Sequence, residues 1–281
     1  MSSDPEPRSS ESTSLAPYWD RVARQHAAAD PLGAVCYPAA PRWLNDFFSR
    51  LQLRFVAQML GSEPIAGLRC LDVGCGSGRW SRWLATKGAA VVGIDPTEAM
   101  LESARTLSPG LDLRRMSATA IDLPANGFDL VLSVTVIQHL RPEEQERAAD
   151  AMHRVLRPGG QLFVLDLIDP NDRGHVVFPR SPQGWIDLYT RHGLTLERWA
   201  GQEFVPLLRP LALLVPRRRA TETPTTAPSL LERLGRHPTL FWPLWPLARA
   251  SEWLEPWCER ALPSRLARHA GFLFRKPGTA A

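Results

Sequence analysis

Cysteine is scarce in this chain, and long apolar runs are missing. Only four of 281 residues are cysteine (Cys36, Cys70, Cys75 and Cys258), and none stands in a C-x-x-C spacing. Neither a disulfide framework nor a structural zinc is expected, and the thiols read as reduced. No stretch reaches 18 apolar residues; residues 238–248 form the longest uncharged apolar run near the C-terminus, and they carry three prolines. No membrane span is therefore expected. The opening MSSDPEPRSSESTS has no apolar core of a secretory signal, so residues 1–14 read as a disordered tail and the location as cytoplasmic. His26, His153, His192, His237 and His269 show no ligand spacing, and no metal is expected.

What is present suits a sizeable folded domain. The chain is 44% hydrophobic and 22% charged, which excludes a collagen or a wholly disordered polymer and leaves one large domain or one domain plus an appendage. Its net charge of +4 is unevenly placed. Residues 1–204 hold 21 Lys and Arg against 24 acids, whereas residues 205–281 hold 12 against 5. A basic C-terminal quarter points to an anionic partner, either a membrane surface or an acidic ligand.

Hydrophobic periodicity divides the chain. Residues 15–66 read as an N-terminal helical lid, with Trp43, Phe47, Leu51 and Phe55 on one stripe. From 67 to 203, short β-rich runs alternate with helical patterns: strands at 68–73, 90–94, 111–116, 128–133, 161–167 and 194–199. Strand alternating with helix predicts an α/β fold, doubly wound around a mostly parallel seven-stranded sheet. Residues 204–269 do not alternate and read as a Trp- and Arg-rich helical insertion; residues 270–276 supply the last strand.

The first strand ends in Leu71-Asp-Val73 and runs into Gly74-Cys-Gly-Ser-Gly78 before a helix. Glycines there let a ligand approach the backbone, and the helix N-terminus offers N–H groups. Asp95, at the end of the second strand, can accept hydrogen bonds from both hydroxyls of a ribose. The glycines at 74, 76 and 78 do not follow the G-x-G-x-x-G spacing of dinucleotide sites. A carboxylate at Asp72 suits a ligand with a cationic amino group and would repel a pyrophosphate.

Together Leu71-Asp-Val-Gly-Cys-Gly-Ser-Gly78, Val92-Gly-Ile-Asp95, Leu123-Pro124 with Phe128-Asp-Leu-Val131, and Val155-Leu-Arg-Pro-Gly-Gly160 resemble the class I methyltransferases that use S-adenosylmethionine (SAM). The resemblance covers roughly residues 65–200. It implies the same Rossmann-like sheet and SAM as cofactor. It assigns Asp72 and the loop residues Gly74, Cys75, Gly76 and Gly78 to the methionine part, Asp95 to the ribose, and Pro96 and Met100 to the adenine faces. Ser117, Ala118 and Ser133 complete the implied cofactor set. Ser117, Thr119 or Asp122 takes the adenine amine; register alone does not choose.

Methyl transfer needs an acceptor aligned with the sulfonium, and a base only where the acceptor must lose a proton. His139, just past the fourth strand, is the candidate base or else a helix-capping side chain, with neighbouring Gln138 a second polar candidate. Tyr18 and Trp19 in the first helix, and His175 and Arg180 after the fifth strand, are candidate acceptor contacts. In the insertion, Phe241, Trp242, Trp245, Trp253 and Trp257 interleave with arginines. This composition reads as an interfacial membrane element or as a lobe whose Trp and Leu pack against the core. Either reading favours a small or lipid-like acceptor, methylated at oxygen, over nucleic acid. A sugar end group and a non-catalytic SAM-binding scaffold are the alternatives, and the oligomeric state is left open.

Overall fold

A computed structural model describes residues 16–26, 31–33, 35–36, 40–62, 64–169, 177–207 and 242–278. The expected disorder of residues 1–14, His175, and the Pro/Thr- and Arg-rich stretch up to Phe241 fall outside the described residues. Two helices come first, α1 (Ala16–His26) and α2 (Arg42–Leu60). The α/β body follows as β1 (Arg69–Val73), α3 (Arg79–Thr86), β2 (Ala90–Asp95), α4 (Glu98–Leu107), β3 (Asp112–Arg115), β4 (Phe128–Val134), α5 (Pro142–Val155), β5 (Leu156–Leu167), α6 (Pro182–Arg191) and β6 (Thr195–Gln202). Helix α7 (Trp245–Ala261) and strand β7 (His269–Arg275) close the described chain.

The seven strands lie in the order β3-β2-β1-β4-β5-β7-β6, parallel except for β7, which runs antiparallel to both neighbours. Strand order therefore reverses between β1 and β4, and in open α/β sheets the crevice at such a point, beyond the strands' carboxyl ends, is where ligands bind. The expected sheet is the one observed.

Period-two alternation sorts the strand residues onto two covered faces. Leu71, Val73, Val131, Leu162, Val164, Phe272 and Phe274 pack with α5 and α6. Cys70, Leu130, Leu132, Phe163, Leu165 and Leu273 pack with α2 and α3. Phe55, Val56 and Met59 bring α2 onto that second face. Phe47 and Leu51, from the expected stripe, join Leu44, Val205 and Ala248 of α7. The N-terminal α1 packs through Ala23 and Trp19 on Ala99 and Met100 of α4.

Two expectations change. Strand β5 starts at Leu156, not Gln161, because Leu156 pairs with Phe128 ahead of a register shift and Gly159 and Gly160 bond to Lys276. In the insertion, the described tryptophans are not packed inward: Trp242, Trp245, Trp253 and Trp257 are 64%, 46%, 80% and 62% exposed. Helix α7 instead buries Ala248, Ser251, Glu255 and Cys258. The polar pair turns inward because the chain leaving β6 needs acceptors. Glu255 takes the N–H of Phe204 (2.6 Å) and Val205 (2.8 Å), and Ser251 Oγ takes that of Leu207 (3.3 Å).

Candidate active site

The crevice at the β1–β4 reversal holds a cavity of about 210 Å³. Its wall carries Gly74, Cys75 and Gly76 from the first turn, Asp95, Pro96, Thr97 and Met100 from the second, and Ser117, Ala118 and Thr119 after β3. Val134, Thr135, Val136, His139, Leu140 and Glu144 line it from the end of β4 to the start of α5, and Ala16, Trp19 and Val35 come from the N-terminal region.

The glycine turn is left-handed at three points, with φ of 71°, 52° and 76° at Gly74, Gly76 and Gly78. At two of them a side chain has no room. A Cβ on Gly74 would lie 2.4 Å from a Val136 methyl, and one on Gly76 2.7 Å from a Val35 methyl. Glycine thus serves both a conformation that L residues resist and a close approach. The turn's amides are largely engaged within the chain. The N–H groups of Gly74 and Cys75 donate to Ile94 O at 2.8 and 2.9 Å. Gly76 N–H donates to Asp95 Oδ2 at 3.0 Å, and Thr97 N–H to Asp95 Oδ1 at 2.9 Å. Donation of these amides to a ligand, the simplest reading of the motif, is therefore not what the loop does. Asp95 clamps the turn and still presents a face to the cavity. A carboxylate has about four acceptor positions, and two are used. Burial raises its pKa, while the two backbone bonds act against that shift.

Asp72 sits beneath this loop, off the wall. Alternation along β1 turns it with Cys70 toward α3, where its Oδ2 accepts from Ser81 Oγ at 2.6 Å. It is 1% exposed, and its Oδ1 has no partner. Burial pushes its pKa up to about 6, against the Ser81 bond and the Arg79 charge, with Asp95 adding a smaller upward push. Arg79 was not among the expected site residues, yet it lines the cavity at 8% exposure. Its Nη2 donates to Gln52 Oε1 at 2.7 Å, its guanidinium lies 4.6 Å over the Trp80 ring, and its buried Nε has no partner. Among the described residues it makes no ion pair. The signal for it was available, since it is the first helical residue after the glycine turn.

The remaining candidates divide. His139 is on the wall, its ring edge-on to Trp19 with centroids 4.9 Å apart. Trp19 is on the wall too, while Tyr18 is not and packs edge-on against Trp19 with ring centroids 5.1 Å apart. Ser117 and Ala118 line the cavity, and Ser117 Oγ lies 2.9 Å from Thr119 Oγ1. Asp122 borders a separate groove along α5.

Four further expected site residues do not line the cavity. Gln138 is a bracket: Leu167 N–H donates to its Oε1 at 2.8 Å, its own N–H donates to Asp166 Oδ1 at 3.2 Å, and it does not line the cavity. Ser133 is fully buried off the wall, and its neighbours Val134 and Thr135 line it instead. Arg180 donates to Gln145 Oε1 at 2.5 Å and lies 5.9 Å over the Trp185 ring, tying α5 to α6. Gly78 is likewise off the wall; it caps α3. Among the described residues, no group of three or more His, Cys, Asp or Glu is placed to hold a metal ion.

Comparison with known proteins bears on the family and the fold. Residues 71–164 match a family described as a methyltransferase domain. A ubiquinone biosynthesis O-methyltransferase of Caulobacter vibrioides is 36% identical over 173 residues, which cover 56% of this chain and 68% of that protein. One from Ruegeria pomeroyi is 35% identical over 162 residues, covering 51% and 64%. The chain spans 43% to 64% of the length of the first such relatives. A solved SAM-dependent methyltransferase from Mesorhizobium loti shares the fold, with a TM-score of 0.50 at 19% identity, covering 79% of this chain and 97% of that one.

The buried Asp72 gives a measurable pH signature. Its proton is held more tightly in the folded chain, at about pH 6, than at the ordinary 3.8. Folding is therefore penalised fully above pH 6, and the penalty fades as pH falls toward 4. Thermal unfolding of the ligand-free protein should show Asp72→Asn to be more stable than wild type at pH 7.5, by roughly 1–3 kcal/mol. That advantage should shrink by pH 5; parallel curves for the two proteins would contradict the assignment.

Proposed function

The chain belongs to the class I SAM-dependent methyltransferases, and we propose that it methylates a hydroxyl oxygen on a small acceptor with an apolar body. The observation that carries the proposal is His139 on the same cavity wall as Asp95 and the glycine turn. Relatives named as O-methyltransferases of ubiquinone biosynthesis support methylation at oxygen of a small acceptor. They lend no support to a sugar end group or to a scaffold without turnover.

The residues fit the cofactor. Two hydroxyls of a ribose need an acceptor with free lone pairs, and Asp95 keeps two. Flat adenine needs apolar faces, which Pro96 and Met100 supply, with Ser117 or Thr119 at hand for its amine. An amino-acid end carries both charges. Asp72 offers a negative field from below the loop, and Arg79 a buried cation that makes no ion pair among the described residues and feels Asp72 only through space. A buried cation without a carboxylate in contact is costly, so it gains when a ligand anion arrives. When bound, SAM supplies an electrophilic methyl group on a sulfonium sulfur.

The chain's own residues then do the rest. Trp19, Val35, Val136 and Leu140 exclude water and grip the acceptor's apolar body. His139 takes the proton that the acceptor hydroxyl must lose, a task suited to an imidazole near neutral pH. Gln138 Nε2 lies 3.4 Å from His139 Nε2. Its own clamp on Leu167 and Asp166 fixes the backbone from which His139 projects.

The direct test is conversion of SAM to S-adenosylhomocysteine with a prenylated catechol as acceptor. Turnover is expected, and His139→Ala should lower kcat about a hundredfold or more with SAM affinity unchanged. Near-normal turnover in that variant would remove the base assignment. Arg79 is tested by comparing SAM with decarboxylated SAM, which lacks only the carboxylate. Arg79→Met should weaken SAM binding by about 1.5–3 kcal/mol and leave decarboxylated SAM unaffected. Equal losses for both ligands would show that Arg79 merely shapes the pocket.

A further inference from the structure

We infer that the outward face of α7 is a docking surface for an anionic lipid bilayer. At 100° per residue, Trp245, Arg249, Trp253, Trp257 and Arg260 fall on one face of the helix, opposite the buried Ala248, Ser251, Glu255 and Cys258. All five are exposed, and Trp253 and Trp257 rank among the most exposed large apolar side chains described. A fold that buries Phe47, Phe55 and Trp185 completely leaves these indoles in water.

The charges are sorted as sharply as the apolar groups. Helix α7 has three acids, and each is engaged by the body of the protein. Glu252 is gripped by Arg50 of α2 through two bonds, at 2.8 and 3.1 Å, and also pairs with Arg249 at 2.8 Å. Glu259 pairs with Arg54 at 2.8 Å and its side chain is 3% exposed. Glu255 is buried on the backbone N–H groups of Phe204 and Val205. Glu255 and Glu259 turn away from the tryptophan face, and Glu252, at its edge beside Trp245, is held between Arg50 and Arg249, which leaves Arg260 as the further charge among the indoles. Arg265 and Leu266, both exposed, follow in the next turn.

That combination fits a phospholipid surface. Indoles settle at the headgroup level with rings among the upper acyl carbons, and guanidinium groups bind phosphate through two parallel N–H bonds. Only two residues of the chain, Lys87 and Lys276, are lysine, so its positive charge is almost wholly guanidinium. Residues 205–281 carry 12 basic residues against 5 acids, which complements an anionic leaflet at long range. Among the described residues no helix is long and apolar enough to cross a membrane, so the contact is peripheral.

The test is co-sedimentation of the full chain with vesicles of phosphatidylglycerol and phosphatidylcholine, or of phosphatidylcholine alone, at low and high salt. Wild type is expected to pellet with the anionic vesicles at low salt and to be released at high salt, with a blue shift of tryptophan emission on binding. The double variant Trp253→Ser/Trp257→Ser should bind at least tenfold more weakly. Arg260→Gln/Arg265→Gln should bind more weakly to anionic vesicles and lose salt sensitivity. Both variants change exposed side chains that do not line the cavity, so retained SAM binding verifies their fold. Failure of wild type to pellet at low salt, or equal pelleting of the tryptophan variant, would overturn the inference. So would a wild-type dimer that Trp253→Ser/Trp257→Ser dissociates, with no vesicle binding.

Discussion

One carboxylate holds the active end of this protein together. Asp95 accepts the N–H of Gly76 with one oxygen and that of Thr97 with the other. It thereby locks the turn after β1 to the turn after β2, on the side of the sheet reversal where β2 lies. Three left-handed glycines make the first turn tight enough to reach it. The cavity wall, the seat of α3 and the place of Arg79 at its first turn all rest on that closure. On the function proposed above the same group receives the cofactor's ribose, which would make the device that builds the pocket also the one that reads its ligand.

The closure has an electrostatic cost. Asp72, Asp95 and Arg79 are all nearly or wholly buried within the same turn region. Burial raises the pKa of both acids, to about 6 for Asp72. Groups in that state weaken the empty fold and gain when an oppositely charged ligand arrives. A donor bearing ammonium, sulfonium and carboxylate complements such a trio, whereas a pyrophosphate would face two anions. Stability is thus given up where binding recovers it, the pattern expected of a preorganised site.

Much of this could be read from the residues in order. The β1 turn, Asp95, and Phe128-Asp-Leu-Val131 pointed to the sheet and to SAM as cofactor, because glycine spacing and strand alternation are local signals. Non-local facts were beyond reach. Val35 and Ala16 reach the wall through the packing of the N-terminal region, which no local pattern reveals. Asp72 turned away from the ligand because alternation along β1 places it with Cys70, against Ser81. Ser133 missed the wall by one residue for the same reason. On α7, Glu255 faces inward with Ala248 and Cys258, where it accepts the N–H groups of Phe204 and Val205, and the tryptophans face outward, a polar demand that hydrophobic patterning does not display.

The most direct measurement is calorimetric titration of SAM into the wild-type protein and into Asp95→Ala, with NAD as a control ligand. Wild type should bind SAM and ignore NAD, and the variant should lose about 1–3 kcal/mol of SAM affinity, the worth of charged hydrogen bonds to a ribose. Undiminished SAM binding in Asp95→Ala, or preference of wild type for the dinucleotide, would contradict the account.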